Sequence, residues 1–221
     1  VKPVLVIFDF DGTLVNSLPD IAVGANYALQ KNGFPVYSLD RYAAFVGSGL
    51  NKLFERALPE GCKTPEWIRK VRMDYDDYYR EHSLDQTKPY EGIVPMLADL
   101  KEAGIRLAVL SNKDHAFALP MVNAIFPDTF DYAFGHRDGY NTKPDPRSAL
   151  EIIEAAGAAK EKAVMVGDTG IDMRMAKNAQ IYAVGVTWGF RGEAELMQTG
   201  ADRIVHDRTE LKKILLEYLT R

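Results

Sequence analysis

The chain has 221 residues, a formal net charge of -4 at pH 7 and a pI near 5.6, so nothing electrostatic favours nucleic acid or an anionic membrane as partner. Its 47% hydrophobic and 26% charged residues are ordinary for a globular protein that buries a sizeable core. A lone cysteine, Cys62, excludes an internal disulfide and reads as a packing residue, and no apolar run approaches the roughly 20 residues of a membrane span. The first apolar run is broken by Asp9 and Asp11 before it reaches signal-peptide length, so the expected location is cytoplasmic.

Residues 4–8, Val-Leu-Val-Ile-Phe, are five consecutive apolar residues, mostly β-branched or aromatic, and read as a short strand buried on both faces of a parallel sheet. Helical spacing then takes over for some seventy residues. Ser17 precedes an apolar stripe at Leu18, Ile21, Ala22, Ala25 and Leu29, which Gly33-Phe34-Pro35 stops. A short helix from Ser38 to near Gly47 follows, then one carrying Leu50, Leu53, Phe54 and Ala57, then one that opens at Thr64-Pro65-Glu66 and runs to about His82. In that last helix, 74–80 reads as a half-exposed face. From Tyr90 onward strands alternate with helices: strands at 105–110, 130–134, 163–166, 181–186 and 203–205, with helices at 92–103, 116–124, 146–156, 171–179, near Glu193, and at 209–219. The pattern predicts an α/β fold, a doubly wound parallel sheet formed by 1–15 and 84–221, with an α-helical cap of residues 16–83 inserted after the first strand. Ligands then belong at the carboxyl ends of the strands.

Those strand ends carry the reactive side chains. Asp9 and Asp11 close the first strand, and a spacing of two points both carboxylates the same way; such a pair needs a cation or proton to neutralise it. Ser111-Asn112 ends the strand at 105–110, where a hydroxyl and backbone N–H groups can hold a phosphoryl oxygen. Lys143 stands just ahead of a proline-fixed helix start, and Gly167-Asp168-Thr-Gly-Ile-Asp172 supplies two more carboxylates at a helix N-terminus. Each alone is commonplace: strand-end aspartates cap helices, Ser-Asn starts them, a lone lysine is usually solvated. The order Asp-x-Asp, Ser, Lys, Gly-Asp-x-x-x-Asp, each at a strand end, is specific. The four histidines, His82, His115, His136 and His206, have no ligand spacing, and Val46 to Lys52 lacks both the preceding strand and the spacing of a nucleotide phosphate loop.

Asp9-Phe-Asp-Gly-Thr-Leu14 with the later motifs resembles the haloacid dehalogenase superfamily in its phosphatase branch, from Val4 to about Gly189, and Gly185-Val-Thr-Trp-Gly189 is similar to the phosphoglycolate phosphatase-like group. Gln180 departs from that pattern, which has glycine there. The resemblance implies an Asp9 nucleophile that forms an aspartyl-phosphate, Asp11 as general acid and then base, and Mg2+ held by the Asp9 carboxylate, the Asp11 carbonyl and Asp168, with Asp172 behind them. Lys143 would balance charge and pair with the phosphoryl group, whose oxygens Ser111 and Asn112 would bind. The cap would close on a small phosphate ester, with Ser48, Asn51 and Lys52 as contacts for the leaving group; 2-phosphoglycolate is the first expectation. A phosphomutase, a pyrophosphatase or a nucleotidase of the same superfamily uses the same motifs, while a phospho-receiver domain would be near half this length. Monomer and homodimer both remain open.

Overall fold

The computed structural model describes residues 3–219. Its contacts divide the chain into two compact units, one formed by the chain up to Val15 together with Pro89 onward, the other by Asn16–Lys88. β1 (Leu5–Phe8) opens the first unit and β2 (Val15–Asn16) leads out of it. The second unit holds α1 (Leu18–Lys31), α2 (Leu39–Phe45), α3 (Leu50–Ala57) and α4 (Pro65–His82), with a 3-10 turn at Glu60–Cys62 in which Cys62 is only half-buried. β3 (Lys88–Pro89), paired with β2, brings the chain back. The first unit then continues through α5 (Ile93–Glu102), β4 (Arg106–Asp114), α6 (His115–Ile125), β5 (Tyr132–His136), α7 (Arg147–Ala155), β6 (Ala163–Gly167), α8 (Gly170–Ala179), β7 (Tyr182–Val186), α9 (Glu193–Gln198), β8 (Arg203–Val205) and α10 (Arg208–Leu219).

Six strands form one sheet in the order β5-β4-β1-β6-β7-β8, every neighbouring pair parallel. All four residues of β1 are fully buried, as an uninterrupted apolar run requires, and on one face Leu5 and Ile7 join Ile152 of α7 and Met173 and Ala176 of α8 in the core. Register places the site. Phe8 pairs with Val109 of β4 on one side and Val166 of β6 on the other, so the residues beyond them, Asp9, Ser111 and Asp168, gather at one edge of the sheet. The chain winds outward in opposite directions on either side of β1, which makes this edge the switch point of a doubly wound sheet.

The second unit is built on aromatic packing. α4 begins where Thr64-Pro65 predicts, Thr64 Oγ1 accepting the Trp67 N–H at 3.3 Å. Its stretch 74–80 is half-exposed as expected: the spacing of four puts Tyr75 and Tyr79 on one stripe, fully buried and stacked at 4.9 Å, with Phe54 edge-on to Tyr75 at 5.6 Å. Gly24 lets α1 lie against those rings; a Cβ there would meet Tyr75 at 3.1 Å. This unit ends at Lys88, beyond the expected residue 83, since buried Asp20 accepts hydrogen bonds from the N–H groups of Gln86 and Thr87 and the Thr87 hydroxyl.

Two further differences lie in the first unit. β4 does not stop at residue 110 but runs to Asp114, with a register irregularity against β5 between Leu110 and Asp114. Gln180 takes the left-handed conformation expected of a glycine, φ 61 and ψ 44, and its N–H closes α8 onto the carbonyls of Ala176 and Lys177. Among the described residues no helix is long and apolar enough to cross a membrane.

Candidate active site

Asp9 follows β1 directly and is buried, its Oδ1 accepting the Phe10 N–H at 2.7 Å and lying 2.8 Å from Lys143 Nζ. Lys143 also donates to Asp172 Oδ1 at 2.7 Å and the Leu110 carbonyl at 2.9 Å, so its three ammonium hydrogens each have a partner. Asp172 sits in the first turn of α8, where its Oδ2 accepts the Thr169 N–H and hydroxyl at 3.1 and 2.7 Å. Asp168, at the end of β6, accepts the Thr13 hydroxyl on Oδ1 and the Phe190 N–H on Oδ2, both at 2.8 Å.

One oxygen from each of Asp9, Asp168 and Asp172 lies within 4.8 Å of the others. Three buried carboxylates against one buried lysine leave negative charge uncompensated. Burial, then the charge of Asp172, raises the Asp9 carboxyl well above the usual range, and the same two causes push Asp168 up to about 7. For Lys143, burial would lower the pKa, but Asp172 and Asp9 overcome it and keep the ammonium charged. An all-oxygen cluster short of positive charge is the donor set that a hard divalent cation fits.

Ser111 and Asn112 lie within β4, both buried. Ser111 Oγ accepts the Lys113 N–H at 3.1 Å, which leaves the hydroxyl hydrogen for another acceptor. The Asn112 side chain brackets the Lys143 backbone instead, accepting its N–H at 2.7 Å and donating to its carbonyl at 3.2 Å. The Asn112 side chain thus sets the place of Lys143.

Asp11 does not join the acidic cluster. β1 ends at Phe8, so strand alternation no longer governs 9–11, and the Asp11 carboxylate pairs with Lys113 Nζ at 3.1 Å, both side chains largely buried. Lys113 was not among the expected site residues, because the strand that carries it was expected to stop at residue 110. Gly12, at φ 88, turns the chain directly after Asp11; a Cβ there would strike Asp168 and Phe190. Gly189 is confined in the same way by Asp168 and the Gly12 carbonyl, and Trp188 Nε1 donates to the Thr13 carbonyl at 3.0 Å. The loop after β7 thus packs onto Asp168 and the turn after β1. Tyr90 also feels the site: burial, then the negative charge of Asp168, raises its phenol to about 12, with Arg208 opposing.

The three residues expected to read a leaving group each have a partner inside the second unit. Ser48 Oγ accepts from Arg56 at 3.0 Å, Asn51 Oδ1 from Arg72 at 2.9 Å, and exposed Lys52 pairs with Glu55 at 2.6 Å.

A family model described as haloacid dehalogenase-like hydrolase matches residues 6–186. The chain belongs to this family. The phosphoglycolate phosphatase of Agrobacterium fabrum is 31% identical, over 97% of this chain and 93% of that protein, and the one of Psychrobacter arcticus 32% identical, over 96% of each. A crystal structure of a protein assigned as a phosphoglycolate phosphatase, from Lactobacillus delbrueckii subsp. bulgaricus, superposes with a TM-score of 0.91 at 29% identity, covering 97% of this chain and 99% of that one. A haloacid dehalogenase-like family hydrolase from Streptococcus pneumoniae gives 0.86 at 25% identity, covering 96% and 98%. The haloacid dehalogenase-like chain is a hydrolase, and its relatives place it among enzymes acting on phosphoric monoesters.

Proposed function

We propose that this protein is a magnesium-dependent phosphatase of small phosphate monoesters that works through an aspartyl-phosphate, with 2-phosphoglycolate its first substrate candidate. The carrying observation is the contrast between two carboxylates two residues apart. Asp9 lies in a buried acidic cluster with Lys143, whereas Asp11 stands outside it on Lys113. Environments that differ this much divide roles: one carboxylate attacks, the other moves protons.

In the first half-reaction an Asp9 carboxylate oxygen attacks phosphorus, the bond to the ester oxygen breaks with its electron pair, and Asp11 in its acid form protonates the departing alkoxide. In the second, Asp11 as carboxylate takes a proton from water, the hydroxide attacks phosphorus, and phosphate leaves Asp9 as a free carboxylate. Lys143 and the Ser111 hydroxyl are placed to meet the charge on the transferring group. Magnesium fits the oxygen donors of Asp9 and Asp168 and, by family resemblance, the Asp11 carbonyl; when bound it would neutralise phosphoryl charge. The substrate class is supported by the names of relatives near 30% identity over almost the whole chain.

The test is phosphate release from a monoester panel with and without Mg2+, for wild type and Asp9→Asn. Wild type should release phosphate from 2-phosphoglycolate and the variant should not. Transfer of the phosphoryl group between positions of a sugar without release would favour the mutase reading.

A further inference from the structure

We infer that Lys113 is a positioning residue that holds the Asp11 carboxylate in place for proton transfer to the leaving group, an inference that rests on the phosphatase reading above. Its side chain is only 6% exposed, and its ammonium is 3.1 Å from Asp11 Oδ1. A buried lysine needs a specific reason to be there, and this one is built in from several directions. The Lys113 N–H is tied to Ser111 Oγ at 3.1 Å, and β5 lies so close that a Cβ on Gly135 would sit 2.6 Å from the Lys113 carbonyl and from His115 Cα. The register irregularity of β4 falls on this same stretch, Leu110 to Asp114. The backbone at Lys113 is thereby fixed to the strand that also carries Ser111, and the buried side chain carries the ammonium from there to Asp11.

Asp11 needs such an anchor. It lies beyond β1 in the turn closed by the Leu14 N–H on the Phe10 carbonyl, next to Gly12, where its backbone bridges to Val15 of the same turn and not to a neighbouring strand of the sheet. A displaced proton donor is ineffective: misplacement by about 1 Å costs on the order of 100-fold, and general acid catalysis itself supplies about 100- to 10,000-fold. The loss must depend on the leaving group. An alkoxide needs the proton from Asp11; p-nitrophenolate leaves without it.

The experiment compares kcat/KM, which reports only steps through loss of the leaving group, for 2-phosphoglycolate and p-nitrophenyl phosphate with Mg2+ present. Should 2-phosphoglycolate fail as substrate, the alkyl phosphate of the panel that wild type hydrolyses fastest takes its place. The proteins are wild type, Lys113→Met, Lys113→Arg, Asp11→Asn and the Asp11→Asn/Lys113→Met double variant. Lys113→Met should lose about 30- to 100-fold on the alkyl ester and less than about 3-fold on the aryl ester, whose turnover also shows that the variant folds. Arginine should restore most of the loss, and in the Asp11→Asn background the lysine change should add less than about 3-fold. Equal losses on both esters, or additivity with Asp11→Asn, would overturn the inference. Leaving-group selectivity in Asp11→Asn without it in Lys113→Met overturns the inference alone; an unimpaired Asp11→Asn enzyme overturns the acid assignment as well.

Discussion

Asp168→Asn separates the stability cost of the acidic cluster from its use. Asp168 is fully buried, and its carboxyl rises from 3.8 to about 7, first through burial and then through Asp172. A carboxyl whose folded pKa is raised binds more protons in the folded than in the unfolded state between those two values, so stability falls as pH rises through that window. At about 1.4 kcal/mol per pH unit, a window of about 3 units amounts to about 4 kcal/mol lost by the metal-free protein, and Asp9, raised for the same reasons, adds in the same direction. Asparagine keeps the shape, accepts from the Phe190 N–H with its carbonyl, and carries no charge. In chelator, urea unfolding followed from about pH 4 to about pH 8 should therefore show the variant gaining about 4 kcal/mol on wild type across the range. Saturating Mg2+ should return stability to wild type at the upper end and do much less for the variant. Parallel pH profiles for the two proteins in chelator would refute the reasoning, because they would mean that Asp168 is ionised without penalty.

Gly189→Ala drives a methyl group into Asp168 and the Gly12 carbonyl, so Mg2+ affinity measured by calorimetry should fall at least about tenfold and urea unfolding in chelator should come earlier; unchanged Mg2+ affinity would contradict this. Ca2+ in place of Mg2+ should bind but inhibit, since its looser and higher coordination misplaces the nucleophile; full phosphate release with Ca2+ would contradict this. Asp20→Ala leaves the N–H groups of Gln86 and Thr87 without their buried acceptor and should destabilise the second unit by about 3 kcal/mol, read as earlier urea unfolding and faster hydrogen exchange in that unit.

The fold was legible wherever local signals agree with burial. The all-apolar, mostly β-branched or aromatic run ahead of Asp9 reads as an interior parallel strand and is one, and Thr64-Pro65 marks the start of α4 through a local cap on the Trp67 N–H. The end of the second unit was not legible, because it depends on Asp20 meeting Gln86 and Thr87 across 66 and 67 residues, and nothing local announces such a clasp. Gln180 shows the converse: the sequence marks it as a misfit, and the structure places it in the left-handed conformation all the same, a strain of the kind a non-glycine residue accepts when the helix before it and the strand after it are both fixed.

The site divides along the same line. Asp9 and Asp168 were readable because register in a parallel sheet brings the ends of neighbouring strands together, and Lys143 and Asp172 join Asp9 through the buried Lys143 ion pairs. The partners of those residues were not readable. The Asn112 side chain holds the Lys143 backbone between its amide oxygen and nitrogen, a pairing across 31 residues that nothing local announces. Lys113 becomes visible only once β4 is seen to continue past Ser111, with the side chain largely buried against Asp11. The extent of that one strand decides where the Lys113 ammonium meets the Asp11 carboxylate, and strand ends are what local pattern fixes least well, since apolar alternation there gives way to polar residues.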